Sequence, residues 1–273
     1  MNTYIRSLAD PFDGTIVQPK LLDGRVSRTA GIRFRTTGDV ICNSGTPSYI
    51  ILFPGFQNNV AWLMSDVEKV PVEYPNHIPL SGGAEASGID GVRLVSVGLR
   101  LSLINSSHEN EGYWEAGRFQ FKDLFQSVPS ANADPAGGPS RNRLIPVAGQ
   151  LESWGTSLAQ NQSFQTGKLR DIHRFQFKLN STNSEHEFVP SEMLAGTPTN
   201  YVDKNWDCVV LKIHGRVDAT SPTVLHYDVC SNQEVVYNQN TVAARIMGPN
   251  TPISSLPTIL LRTNYKYAAI RLT

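Results

Sequence analysis

The chain has 273 residues, enough for one domain of generous size with a substantial core. Apolar residues make up 40% and charged residues 18%, less charge than the ~25% usual for a soluble domain, so its surface is expected to meet other protein. Lys plus Arg and Asp plus Glu both total 24, so no overall cationic field announces a nucleic-acid binder and any such contact must come from a local patch.

Strand patterns dominate. In chain order, short strands are predicted at 31–35 and 49–53. The strongest pattern follows in GVRLVSVGLRLSLINSS, where Val95, Val97, Leu99, Leu101 and Leu103 alternate with Ser96, Gly98, Arg100 and Ser102. Period two over that length puts the first set on one buried face of a long strand. Further strands are predicted at 113–119 and at 174–179, where Phe175, Phe177 and Leu179 alternate with Arg174, Gln176 and Lys178. Others follow at 209–214, at 225–229, at 234–237 and at the C-terminal 265–272. Helical pattern is confined to short pieces near 59–67, 122–127 and 191–195. Asp90-Gly91, Glu111-Gly112 and Gly248-Pro249 supply reversal chemistry between strands. Two connections, 71–89 and 128–143, are long enough to imply a role of their own. The fold expected from these elements is all-β, an eight-stranded antiparallel jelly-roll β-sandwich with long loops and a few short helices. An extension over 1–36 would lead into the jelly-roll domain at 37–250, followed by a C-terminal segment at 251–273 that carries the terminal strand.

Catalytic motifs are missing: there is no GxSxG elbow, phosphate loop, GxGxxG after a strand or HExxH, so no enzyme is expected. His173, His214 and His226 fall in or beside predicted strands, where they would be either metal ligands on one sheet face or outward-facing polar positions, the second being favoured. In the acidic turn HENEGYWE, Glu109, Glu111 and Glu115 are candidate oxygen ligands for Ca²⁺, set against the simpler reading of a solvated hairpin tip. Cys42, Cys208 and Cys230 are odd in number and far apart, which predicts free buried thiols. No apolar run approaches a membrane helix, and the first residues do not form a signal peptide, so synthesis in a reducing cytoplasm or nucleus is expected. Charge is uneven along the chain: residues 1–36 hold six cations against three acids, and the 39 residues after Glu234 hold four cations and no acid. Arg6, Lys20, Arg25, Arg28, Arg262, Lys266 and Arg271 are therefore the candidate contacts to a polyanion.

The run VRLVSVGLRLSLINSSHENEGYWEAGRF resembles a strand, acidic turn and strand shared by nodavirus-like coat proteins, including those of the diatom-infecting bacilladnaviruses. LADPFDGTIVQPKLLDGRVSRTAGIRF resembles the entry to their shell domain, and HYDVCSNQEVVYNQNTVAARIM its last strands. The resemblance implies a structural capsid protein that assembles with itself, in quasi-equivalent T=3-type packing, into a small non-enveloped icosahedral virion around a viral genome. It implies non-specific nucleic-acid contact and a host receptor of unknown identity. Two departures stand out. The Arg/Lys-rich arm that usually precedes the shell domain is not among these residues, and the only Asn-Ala pair is Asn132-Ala133, in mid-chain, so nodavirus-type autocleavage is not expected. A jelly-roll carbohydrate-binding or receptor-attachment module is the alternative.

Overall fold

A computed structural model describes residues 3–16, 29–42, 47–55, 60–63, 89–106, 111–120, 125–129, 142–146, 158–181, 188–190, 206–215 and 222–237. A short helix, α1 (Thr3–Ala9), precedes twelve strands: β1 (Thr29–Cys42), β2 (Ser48–Leu52), β3 (Val60–Leu63), β4 (Ile89–Leu103), β5 (Tyr113–Gln120), β6 (Phe125–Pro129), β7 (Asn142–Pro146), β8 (Gln165–Lys168), β9 (Gln176–Lys178), β10 (Val189–Pro190), β11 (Asp207–His214) and β12 (Thr223–Tyr237). A 3-10 turn, Leu169–Arg174, joins β8 to β9.

Pairing is antiparallel throughout. One sheet runs β1-β12-β4, with β9 and β10 both paired to β4, and the other runs β3-β2-β11-β5-β8. Setting aside the flanking β3 and the separate β6–β7 hairpin, successive strands alternate between the sheets except at β5 and β8, which pair within one sheet, and the four of each are β1, β12, β4, β9/β10 and β2, β11, β5, β8. That interleaved order is the double Greek key of a jelly roll, and eight strands carry it as expected.

Between the sheets, Leu94, Val97, Leu99 and Leu101 of β4 and Leu225, Tyr227 and Val229 of β12 meet Ile50, Leu52, Trp114, Leu211 and Ile213, all but enclosed. The Trp114 indole stands edge-on to Phe177 at 5.3 Å and to Phe175 at 4.9 Å, an arrangement aromatic quadrupoles favour. A polar crossing completes the contact: Arg118 of β5 donates to Asp207 Oδ2 at 2.6 Å and to the Lys178 carbonyl at 2.7 Å. Burial raises the Asp207 carboxyl above its ordinary value, and the Asn180 N–H and Arg118 oppose that rise.

Three expectations are corrected. First, Val95 does not share the core face with Val97. The β12 partners step from Asn232 opposite Ser96 to Gln233 opposite Leu94, so Val95 is the extra residue of a bulge and packs with Tyr4 and Ile5 on the other face. Second, where helical pattern is expected near 59–67 and 122–127, the described residues 60–63 and 125–127 belong to strands β3 and β6, each held by a ladder to a neighbour, β2 and β7. Short apolar runs do not distinguish helix from strand, and an available partner decides. Third, the predicted strand at 234–237 is the end of the 15-residue β12, and that at 31–35 is part of the 14-residue β1. The expected helix at 191–195 and the C-terminal strand at 265–272 lie outside the described residues.

Leu99 is fully enclosed, so Leu99→Asp should abolish soluble folded protein, since an unpaired buried charge costs several kcal/mol; normal yield and melting would contradict the register. All three cysteines are free and buried. Burial pushes Cys42 and Cys230 up to about 11, with a Ser48 hydrogen bond opposing the first, and also raises Cys208. A chromogenic disulfide reagent at about pH 8 should therefore label none of them in the folded chain and all of them after unfolding. Because the unfolded thiols ionise first, the stability they contribute is complete below pH 9.0 and should fall as pH rises toward about 11.

Candidate nucleic-acid and assembly interface

The face of the β1-β12-β4 sheet turned away from the core carries a row of polar side chains set opposite one another by the ladder. Register places Arg33 beside Asn232, Arg35 beside Cys230, Asp39 beside His226, Asp228 beside Arg100 and Glu234 beside Arg93. Arg35 clasps Asp228 through Nε at 2.9 Å and Nη2 at 2.6 Å, and this pair raises its already high pKa. Farther along, Glu234 accepts from Thr29 at 2.5 Å and from Arg93 at 2.9 and 2.6 Å, with both charged side chains enclosed.

Residues 3–16 lie across this face. Tyr4 and Ile5 of α1 cover Val95, and Pro11 and Phe12 settle over Gly98, where a Cβ would stand 3.0 Å from both rings. Arg100 lies 4.1 Å above the Phe12 ring and donates to Asp10. Arg6 closes the segment on itself by donating to Asp13 at 2.5 Å and to the Thr15 hydroxyl. Hydrogen bonds from the Thr15 hydroxyl and N–H, then Arg6, hold the Asp13 carboxyl down at about 2. This depressed value makes the Asp13 contribution present above the ordinary carboxylate range and lost only as pH falls toward about 2.

Of the seven cations expected to meet polyanion, Arg6 is therefore in this surface strap and spent largely on Asp13. Lys20, Arg25, Arg28, Arg262, Lys266 and Arg271 lie outside the described residues. Of the three candidate calcium ligands, Glu109 also lies outside, Glu111 is exposed, and Glu115 accepts from His214 Nε2 at 2.9 Å. Among the described residues no three His, Cys, Asp or Glu side chains gather as a metal-binding group. His226 donates to Asp39 at 2.7 Å, and His173 sits in the 3-10 turn against the Arg170 carbonyl, so the three histidines do not converge.

Sequence reasoning missed the sheet-face cations Arg33, Arg93, Arg100 and Lys178 as a group. The signal was present: each occupies a polar position in an alternating strand. It also missed the apolar side chains exposed near the strand ends. Ile41 at the end of β1, Ile104 after β4, Tyr113 at the start of β5 and Phe175 before β9 are four of the five large hydrophobic side chains exposed among the described residues. Tyr113 stacks on His214 at 4.1 Å, and Lys168 stands opposite it across β8.

Fold and surface together define an antiparallel jelly roll with one strapped sheet face and several large apolar side chains exposed near its strand ends. The sequence profile of the Shotokuvirus capsid protein matches residues 83–197 and 191–268, more than half of the chain. The chain belongs to that family and is a viral capsid protein, a component of the virion. The capsid protein of Avon-Heathcote Estuary associated kieseladnavirus is 27% identical over 90% of this chain and 81% of its own length. That of Chaetoceros diatodnavirus 1 is 24% identical over 88% and 75%. Among solved structures, T=1 particles derived from infectious bursal virus align over 98% of this chain and 92% of theirs, at 10% identity and a TM-score of 0.49. None of these relatives supports the carbohydrate-binding alternative.

If the strap packs as described, Tyr4→Ala with Ile5→Ala should free residues 3–16 for limited proteolysis while leaving the main melting transition within a few degrees, because these two side chains form a cluster separate from the core. Unchanged protease resistance would contradict it.

Proposed function

We propose that many copies of this chain close into a non-enveloped icosahedral shell, in quasi-equivalent T=3-type packing, around a viral genome that they contact without reading sequence. The observation that carries the reading is the exposure in the single chain of four large apolar side chains, Ile41, Ile104, Tyr113 and Phe175, at or near the ends of their strands. Apolar side chains exposed in this way, on a chain that carries charges of both signs in equal number, suit contact with further copies of the same molecule. Permanent assemblies bury ~2,000 Å² or more, and the low overall charge agrees with a surface largely covered in the particle.

The terminal cations Lys20, Arg25, Arg28, Arg262, Lys266 and Arg271 would line the interior and neutralise phosphate. A divalent ion at Glu109, Glu111 and Glu115 would compete with the His214 contact of Glu115, and chelation would then lower the melting temperature of particles. Synthesis would take place in the host cytoplasm or nucleus.

Light scattering on the purified chain should show particles of megadalton mass, and Tyr113→Ala with Ile104→Ser should shift them to small species at unchanged subunit melting, since buried anchors of an interface contribute about 2 kcal/mol or more each. A wild-type chain that stays monomeric across salt and pH would remove the reading. Neutralising Arg25, Arg28, Arg262 and Lys266 together should leave shells intact and lower their absorbance ratio between nucleic acid and protein bands; an unchanged ratio would take these residues off the interior.

A further inference from the structure

Six donors from four strands converge on the oxygens of four strap residues, Ala9, Asp10, Pro11 and Asp13. Lys178 Nζ reaches the Ala9 carbonyl at 2.9 Å, and Arg100 Nη2 and Gln176 Nε2 both reach Asp10 Oδ1 at 3.1 Å. Cys230 Sγ and Asn232 Nδ2 meet on the Pro11 carbonyl at 3.0 Å, and Arg33 Nη2 reaches the Asp13 carbonyl at 2.9 Å. These donors belong to β1, β4, β9 and β12, so they hold their spacing whether or not the strap is present.

The other cations of this face are satisfied within the sheet, Arg35 by Asp228 and Arg93 by Glu234. Arg33, Arg100 and Lys178 differ: beside sheet contacts of Arg33 with Asn232 and of Arg100 with Gln176, each donates to a carboxylate or carbonyl oxygen of residues 9–13. Burial, with Arg118 nearby, lowers the Lys178 ammonium, and Asp10 opposes that. Lifting the strap would leave three cations and three neutral donors of one sheet face each short of an oxygen acceptor. Oxygen acceptors bearing negative charge are what such an array binds best.

We propose that the outer sheet face at Arg33, Arg100 and Lys178 is a binding site for nucleic-acid phosphates, and that residues 9–13 occupy it as an internal ligand which the nucleic acid displaces. This rests on the shell-and-genome reading and adds its contact surface and its control. The strap is suited to leave. Its apolar anchor, Tyr4 and Ile5 on Val95, is a small cluster apart from the main core, and such satellites open at lower cost than the core. Occupation by Asp10 and by peptide carbonyls keeps the face closed in the free subunit and leaves it to open where polyanion is concentrated. The Arg6 pairing with Asp13 then becomes the latch, freeing one more cation as it parts.

Gly98 offers a charge-neutral lever, because a side chain there would press on Pro11 and Phe12. With a fluorescein-labelled single-stranded oligonucleotide as probe, Gly98→Val should raise the affinity of the free subunit several-fold. Asp10→Asn with Asp13→Asn should do the same, which keeps the test available if the first variant folds poorly. Arg33→Gln, Arg100→Gln and Lys178→Gln together should erase that gain and cut the slope of log affinity against log salt by about 2, the share expected of three single-strand phosphate contacts. Hydrogen exchange at residues 3–16 should quicken when oligonucleotide is added, and inorganic phosphate at equal charge should not reproduce it. Binding by the triple variant equal to wild type, or exchange in the strap unaltered by the oligonucleotide, would overturn the proposal. Wild-type particles that contain nucleic acid while the triple variant packages equally well would sink this site alone; wild-type particles empty of nucleic acid would remove the reading beneath it.

Discussion

One carboxylate ties three strands together. Glu234 on β12 accepts from Thr29 on β1 through one oxygen and from Arg93 on β4 through the other, and both charged side chains are enclosed. The guanidinium also lies 4.2 Å from the Phe188 ring beside β10. Removing two charges from water is costly, and only near-ideal geometry with further hydrogen bonds offsets it. The consequence is intolerance of any other register: a slip of one residue along β12 would bury Glu234 and Arg93 without each other. The pair stands just beyond the bulge at Val95, where two alternative alignments of β4 would otherwise differ little.

From that fixed register follows the division of labour between the two faces of the sheet. Leu94, Val97, Leu99 and Leu101 point to the core and bind the second sheet, while Arg93, Val95, Ser96, Gly98 and Arg100 present the surface on which the strap lies. Asn232 shows how closely the layers are joined, since its amide donates both to Ser96 across the ladder and to the Pro11 carbonyl in the strap. At the end of the same strands the ladder runs out among Ile41, Val224 and Ile104, which leaves apolar side chains without cover in the single chain. A capsid protein needs both features: a rigid interior frame and surfaces completed only by other molecules.

Much of this frame was legible in the sequence. Alternation in β4, β11 and β12 revealed strands whose buried sets, such as Leu211 and Ile213, prove to be core. The pairing order of the two sheets is a long-range property that periodicity does not encode; the number of strands and the turns between them pointed to a jelly roll, and the likeness of VRLVSVGLRLSLINSSHENEGYWEAGRF to coat proteins agreed with it. Val95 misled because a bulge leaves no mark in a run where every second residue is apolar. α1 went unseen since seven residues, TYIRSLA, form a helix only against Val95 and its neighbours. The sheet-face cations were visible one by one, yet their grouping depends on which strands adjoin, and Arg33 and Lys178 are 145 positions apart in the chain.

The claim that the Glu234 carboxylate sets the register is open to a double-mutant cycle with Arg93, read by urea unfolding of the free subunit. Glu234→Ala and Arg93→Ala should each cost about 3–5 kcal/mol, because each leaves a buried charge without its partner. The double variant should lose far less than the sum, a coupling well beyond the ~0.5 kcal/mol within which independent sites add. Single losses under about 1 kcal/mol, or simple additivity, would mean that the pair is incidental and that the apolar core alone aligns β1, β12 and β4.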